Sequence, residues 1–502
     1  MIRTHLLGAV SAAALACVST ASFATTSLPT VVFGGSSLIA QDLNGVTVGS
    51  TSIPGELPTF NTKYSASTTV SKFGNYSSTT PYYTQGSGAG REAVLYNNIL
   101  CLINGASGNP AACGLASGNT IPTAAAGGTN VVHMAASDAV LTAAEWAIWT
   151  GTGSTGGSST TNYGIKTAGN LIQVPSVGVG IAIPVNLTAN GITKNGQLSL
   201  TDAQICSIFS GKTTDWGQIS STLGNGSNNP ITVVYRGDSS GTSAIFTAHL
   251  AQVCDATNSN FEGGSATAGD GLSNTSVWSV SSYTFGAGKF TSLFGGSSPM
   301  PSKGFVSESG SGPLSAYIAA TPGAIGYVSP DYTTLTTTGK AVNPTLLVAA
   351  VKGVNETAAT TPVAANIILG LDNAGTYGGV SSAQFTSPPT SATQAAEQDV
   401  WTPIIPVVSK GYPIVGYTTF IFPQCFADKT VATSVIDFLN LHYANAAYKK
   451  IETTDNGFVG LGTTTAGKIV PILEDRILKN AGAAPLWNYN INNTTTCKGL
   501  GR

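Results

Sequence analysis

The sequence predicts an α/β protein. Short apolar, β-branched runs alternate with stretches whose apolar residues recur at helical spacing, and polar Gly/Ser/Thr-rich segments separate the two. Such alternation is the pattern of mostly parallel sheets, because a parallel strand pair needs a crossover between its members. At 502 residues the chain is long enough for two or three domains with substantial cores.

The chain opens with Arg3, an apolar run from Leu6 to Val18 and small residues at Ser22-Phe23-Ala24. This is the layout of a cleavable export signal over 1–24, with cleavage near Ala24. Cys17 offers lipidation as an alternative, but Ala14 stands where a bulky aliphatic residue is usual. The mature protein is therefore expected to be periplasmic or secreted. No later apolar stretch runs the ~20 residues of a membrane-spanning helix.

Strands are expected over 30–33, 131–134, 178–185, 231–235, 323–328 and 414–422. A helix is expected over 91–103, where Leu95, Ile99, Leu102 and Ile103 share a face, and another over 244–253, through Phe246, Leu250 and Val253. A third opens at Thr142-Ala143-Ala144-Glu145, a capping box in which Glu145 has a structural role. The polar stretches 44–80, 104–128, 150–162, 255–300 and 355–395 are longer than the connections inside compact domains and read as surface insertions.

Only 9% of residues are charged and the formal net charge is −2, so the chain lacks the basic face that nucleic-acid binding requires. Any anion must be captured by local donors. The mature chain has Cys101, Cys113, Cys206, Cys254, Cys425 and Cys497. An even set in an exported protein points to disulfides, and proximity suggests Cys101–Cys113, Cys206–Cys254 and Cys425–Cys497 among the possible pairings. CxxC and HxH are absent, and the mature histidines are His133, His249 and His442, so no metal or other cofactor is expected.

Four segments have the character of an oxyanion site, in which backbone N–H groups at helix N-termini and small hydroxyl residues converge. The strongest is Arg236-Gly237-Asp238-Ser239-Ser240-Gly241-Thr242-Ser243, between a strand and a helix. Arg236 offers a planar fork to two oxygens, Asp238 holds that fork, Ser240 and Thr242 offer hydroxyls, and Gly241 lets the backbone approach closely. An N-capping turn with a surface Arg is the bland alternative. Gly34-Gly35-Ser36-Ser37-Leu38 follows the first mature strand, and Gln85-Gly86-Ser87-Gly88 leads into the 91–103 helix. Ala135-Ala136-Ser137-Asp138 adds a carboxylate, which suits phosphate because that anion carries a proton at neutral pH; a carboxylate accepts the proton and repels an anion lacking one.

The Arg236–Ser243 segment resembles the arginine, aspartate, serine-glycine-threonine loop of phosphate-specific substrate-binding proteins of ABC transporters. Their DING branch is the closer match. His133 through Leu141, Leu171 through Val177, Ile205-Cys206-Ser207-Ile208-Phe209-Ser210-Gly211-Lys212 through Trp216, Gly323 through Asp331 and the strand at Tyr417 resemble it in the same order.

The resemblance implies a two-lobed class II periplasmic-binding-protein fold, with a ligand cleft between lobes 26–178 plus 412–502 and 179–411, hinge strands near 177–183 and 413–418, and long surface insertions. It implies ligand contacts at Ser37, Ser87, Asp138, Arg236, Ser240, Gly241 and Thr242, supported by Ser36, Leu38 and Asp238, and a Cys206–Cys254 disulfide. It also implies inorganic phosphate as ligand, an ABC permease as partner and a monomeric protein.

Two departures stand out. Gly35-Ser36-Ser37 replaces an alanine-threonine pair, leaving open which serine donates. Val31-Val32-Phe33-Gly34 stands where Asp-Ile-Asn-Gly gives the branch its name. The runner-up function is a phosphomonoesterase, which needs an activated nucleophile or a metal cluster; Ser137, Ser240 and Asp138 are its candidates. A surface or adhesive protein is a third reading, motivated by the low charge and the insertions.

Overall fold

Runs rich in Val, Ile, Phe and Ala become strands buried on both faces, as the continuous burial of Leu171–Gly180 and Val415–Pro423 shows. The structure, a computed structural model, describes residues 28–48, 50–75, 78–103, 131–151, 164–224, 228–254, 288–294, 300–333, 335, 346–373, 405, 407–461 and 497–502. The export signal expected over 1–24 and the segments 104–130, 152–163, 255–287 and 374–404 lie outside the described residues.

The strands are β1 (Phe33–Gly35), β2 (Val46–Val48), β3 (Thr51–Ile53), β4 (Tyr83–Thr84), β5 (Met134–Ser137), β6 (Leu171–Gly180), β7 (Ile183–Val185), β8 (Ser199–Thr201), β9 (Thr232–Arg236), β10 (Phe305–Glu308), β11 (Ala324–Ile325), β12 (Leu347–Lys352), β13 (Val415–Pro423) and β14 (Val459–Gly460). One six-stranded sheet has the order β14-β6-β13-β5-β1-β4 and a second has β10-β9-β11-β7-β12-β8. Helices pack on both, giving the two-lobed α/β arrangement expected.

The sheets are mixed rather than mostly parallel. β13 returns from the second sheet and inserts antiparallel between β5 and β6, while β7 runs antiparallel to β11 and β12. The chain thus passes between sheets twice, through β6–β7 and again on the approach to β13. The two passages are tied together: the Ile181 N–H donates to the Ile414 carbonyl at 2.8 Å and the Tyr412 hydroxyl to the Ile181 carbonyl at 2.6 Å.

Several expected elements shift. β1 and β5 begin three residues later than expected because each runs on into the Gly or Ala-Ser stretch that precedes a polar turn. The 91–103 helix is two: Ser87–Tyr96 ends at Asn97, which takes the left-handed conformation at φ 49°, and Leu100–Ile103 follows. The 44–80 stretch holds the β2–β3 hairpin and a helix, Glu56–Lys63, that buries Leu57 and Phe60, so it is built into its lobe. The Thr142 capping box forms, and Glu145 goes beyond it by pairing with Arg91 at 2.7 Å.

Aromatic clusters anchor both cores. Phe33 meets Phe73, Tyr82, Phe420 and Phe438 edge-on or tilted in one, and Phe246 stacks on Tyr327 at 4.6 Å in the other. Cys206–Cys254 links the helix Asp202–Phe209 to the end of Gly241–Val253, and Cys425–Cys497 ties the C-terminal segment to the end of β13. Cys101 is buried and has no disulfide partner among the described residues; its expected partner Cys113 lies outside them.

Candidate ligand site between the lobes

On the first sheet, β1 and β5 run parallel with Gly35 opposite Ala136, so both end at the same edge. Gly35 has φ +132°, and a Cβ there would lie 2.3 Å from the Ala136 carbonyl, so only glycine lets the chain turn here. The turn delivers Ser36, whose hydroxyl donates to Asp138 at 2.7 and 2.8 Å to the two carboxylate oxygens and accepts the Leu38 N–H at 3.0 Å.

Ser87 opens the helix Ser87–Tyr96 directly after Gly86, at φ +128°. Its hydroxyl donates to Asp138 Oδ2 at 3.2 Å and accepts the Asp138 N–H at 3.1 Å. Thr418 on β13 donates to Asp138 Oδ1 at 2.8 Å. Asp138 is therefore a buried carboxylate braced by three hydroxyl residues. Burial pushes its pKa up, while Ser36, Thr418, Ser87 and the Arg236 charge pull the other way.

On the second sheet, Arg236 ends β9. Its Nε donates to Asp238 Oδ1 at 2.6 Å, its Nη2 to Asp238 Oδ2, and its Nη1 to the Ser311 hydroxyl at 3.1 Å. Asp238 is itself fixed by the Gly310 N–H at 3.2 Å, and the Tyr327 hydroxyl accepts the Arg236 N–H at 3.0 Å. Burial alone would lower the guanidinium pKa, but the paired Asp238 carboxylate outweighs it and the net direction is up, so the charge persists.

The next residues open the helix Gly241–Val253. Ser240 caps it by accepting the Ser243 N–H at 3.2 Å, which leaves the serine proton for another acceptor. Thr242 is 1% exposed, yet its hydroxyl has no hydrogen-bond partner among the described residues. A buried polar group without a partner is costly and points to a ligand.

The two half-sites touch. A Cβ on Gly241 would stand 2.4 Å from the Ser87 hydroxyl and 2.5 Å from Asp138 Cβ, and one on Gly88 would stand 2.2 Å from the Ser239 hydroxyl. The Gly88 N–H reaches across to the Ser239 carbonyl at 3.0 Å.

Sequence reasoning named both halves, and the structure refines how they are wired. Ser36, not Ser37, reaches Asp138. The Ser37 hydroxyl faces Ser311 at 3.1 Å and so joins the Arg236 side through it. Ser311 and Thr418 were missed. Ser311 sits in Gly310-Ser311-Gly312 at the start of the helix Ser311–Ala320, the same glycine-serine signature as the other segments. Thr418, inside an apolar strand, carries no such signal.

A family model described as the PBP superfamily domain matches residues 57–441. Alkaline phosphatase L of Pseudomonas aeruginosa is 29% identical over 468 residues, 93% of this chain and 96% of that protein. A phosphate-binding protein from an unknown prokaryotic organism is 31% identical over 391 residues, 74% of this chain and 86% of that one. The solved structure of a high-affinity periplasmic phosphate-binding protein, PfluDING, with phosphate bound superposes with a TM-score of 0.58 at 28% identity, covering 94% of this chain and 99% of its own. With its two sheets, its two crossings and its opposed half-sites, the chain belongs to the PBP superfamily, in the DING-type branch of phosphate-binding proteins.

Proposed function

We propose that this protein captures inorganic phosphate between its lobes, for uptake or scavenging. The observation that carries the reading is the opposition of Asp138, a braced proton acceptor, to Arg236 and the Gly241–Val253 N-terminus, where the buried Thr242 hydroxyl has no partner among the described residues. Arg236 and the first-turn N–H groups suit the anion's charge. Asp138 suits its proton, which sulfate lacks at neutral pH. In this reading Ser37, Ser87, Asp138, Arg236, Ser240, Gly241 and Thr242 line the ligand, while Ser36, Leu38 and Asp238 hold them in place.

Residues 26–178 with 412–502 and residues 179–411 would move as two lobes about the tied crossings near Ile181 and Ile414. The protein would work outside the cytoplasmic membrane as a monomer, handing phosphate to an ABC permease or keeping it. Calorimetry tests this: tight one-to-one phosphate binding, weak sulfate binding, and large losses in Arg236→Ala and Asp138→Asn are expected. Equal affinity for sulfate would remove the role given to Asp138.

The relative named alkaline phosphatase L motivates a second reading, hydrolysis of phosphate monoesters. Side-chain wiring favours binding over turnover. Ser137 spends its hydroxyl on the Ala139 carbonyl at 2.7 Å, Ser240 caps a helix, and Asp138 is braced by hydroxyls rather than paired with a base. Turnover of a chromogenic phosphate ester that vanishes in Arg236→Ala would reverse this preference.

A further inference from the structure

Away from the cleft, Glu56 in the first turn of its helix, His442 near the end of the helix Lys429–Ala444 and Glu452 in the π-helical turn Ile451–Asp455 converge in the lobe of the first sheet. All three are buried. His442 Nδ1 lies 2.9 Å from Glu56 Oε2 and 3.4 Å from Glu452 Oε1.

The other ring nitrogen, Nε2, lies 3.2 Å from the Ser176 carbonyl and 3.0 Å from its hydroxyl. A carbonyl only accepts, so Nε2 carries a proton, and in the neutral ring Nδ1 then turns a lone pair toward the two carboxylates. Three acceptors facing one another require a cation between them, either a proton or a metal ion. An imidazole whose far N–H is fixed by a backbone carbonyl is the arrangement found at metal-ligating histidines.

The surroundings add acceptors. Asn456 spends its amide hydrogens on the Asp42 carboxylate at 3.3 Å and the Ile451 carbonyl at 2.9 Å, and its own Oδ1 has no partner among the described residues. Asp42, fully buried, has an Oδ2 in the same condition, and its carboxylate feels the charges of Glu56 and Glu452. Gly460 keeps the space narrow: a Cβ there would meet Glu452 Oε2 at 2.2 Å. π-turns are rare and are found frequently at functional sites.

We propose that Glu56, His442 and Glu452 form a buried site for one divalent metal ion of the zinc class, which pins the helix Glu56–Lys63 to the helix Lys429–Ala444 and the π-helical turn after it. One imidazole nitrogen with two carboxylates is a donor set that zinc accepts. Zinc ligands at about 2.0–2.1 Å stand about 2.9–3.4 Å from one another, depending on coordination number; the two histidine–carboxylate separations fall in that range, and all three ligand atoms lie within 4.8 Å of one another.

The test uses the full mature chain, loaded with zinc, dialysed into metal-free buffer and analysed by mass spectrometry for metal, with thermal unfolding before and after chelation. One zinc per chain, lost in Glu452→Gln and His442→Asn, and an unfolding temperature lowered by chelation in the wild type alone, is the expected result. Phosphate titration of both variants verifies that they fold, and cobalt(II) titration of the wild type reads histidine ligation in the visible spectrum should either variant fail to fold. Wild-type protein that retains no zinc, shows no cobalt spectrum and is indifferent to the chelator would overturn the proposal and leave a shared proton as the occupant.

Discussion

Replacing Gly241 by Ala separates lobe closure from folding. Gly241 starts the helix Gly241–Val253 and does not occupy the left-handed region, so its backbone accepts alanine without strain. Alanine is also the better helix former, by up to about 1 kcal/mol in a helix interior. The unliganded chain with its lobes apart should therefore be as stable as the wild type or slightly more so.

The closed arrangement is different, because the new methyl would stand 2.4 Å from the Ser87 hydroxyl, 2.5 Å from Asp138 Cβ and 2.6 Å from the Asp138 nitrogen. Carbon contacts relax only at about 3.5 Å, so the walls must part by roughly 1 Å. That displacement carries an N–H···O bond of about 2.9 Å beyond hydrogen-bonding range. A phosphate held by both walls would lose the donors of one. Two charge-assisted bonds at about 1.5–3 kcal/mol each amount to about 3–6 kcal/mol, or roughly 10²- to 10⁴-fold in Kd.

Calorimetry gives the affinity, and thermal unfolding with and without phosphate gives the linked shift. Gly241→Ala should lose most of the phosphate-induced rise in Tm while keeping the unliganded Tm. A variant that binds within about threefold of the wild type would refute the claim that the two walls close against each other here.

Three further outcomes are expected. Ser311→Ala removes a partner of the Arg236 fork and of Ser37, and should weaken phosphate binding by about 1–2 kcal/mol, read by calorimetry, with little change in unliganded stability. Burial, aided by Asp202, pushes Glu356 up to about 7 against the opposing Gly353 N–H and His249. A raised folded-state pKa means its contribution to stability is full below about pH 4.5 and lost as pH climbs through 7, on the order of 1–2 kcal/mol once screening by solvent is allowed for, so Glu356→Gln should flatten Tm against pH and exceed the wild type at pH 8. Loss of the Cys206–Cys254 bridge, with its separation of 48 residues, should cost about 2–5 kcal/mol in denaturant unfolding when both cysteines become alanine.

What the sequence disclosed follows from how local each signal is. Apolar periodicity found the strands and the helix through Phe246 and Leu250, because burial of a face is written into consecutive residues. The site loop at Arg236 was legible for a similar reason: an arginine, its carboxylate partner and the helix cap lie within seven residues. Ser36 and Ser37 were indistinguishable as neighbours of one type, and only the φ +132° turn at Gly35 decides which hydroxyl faces Asp138.

Thr418 shows the limit of local reading most clearly. It sits between Tyr417 and Thr419 in a wholly buried strand, where a threonine reads as β-branched filler. Its hydroxyl reaches Asp138 only because β13 returns from the far lobe and inserts beside β5, a pairing between positions 280 residues apart. The same return brings His442 and Glu452 to Glu56 across 386 residues or more. The antiparallel insertion that makes the first sheet mixed is thus also what completes the bracing of the site carboxylate, so the least legible feature of that sheet's topology and the least legible residue of the site share one cause.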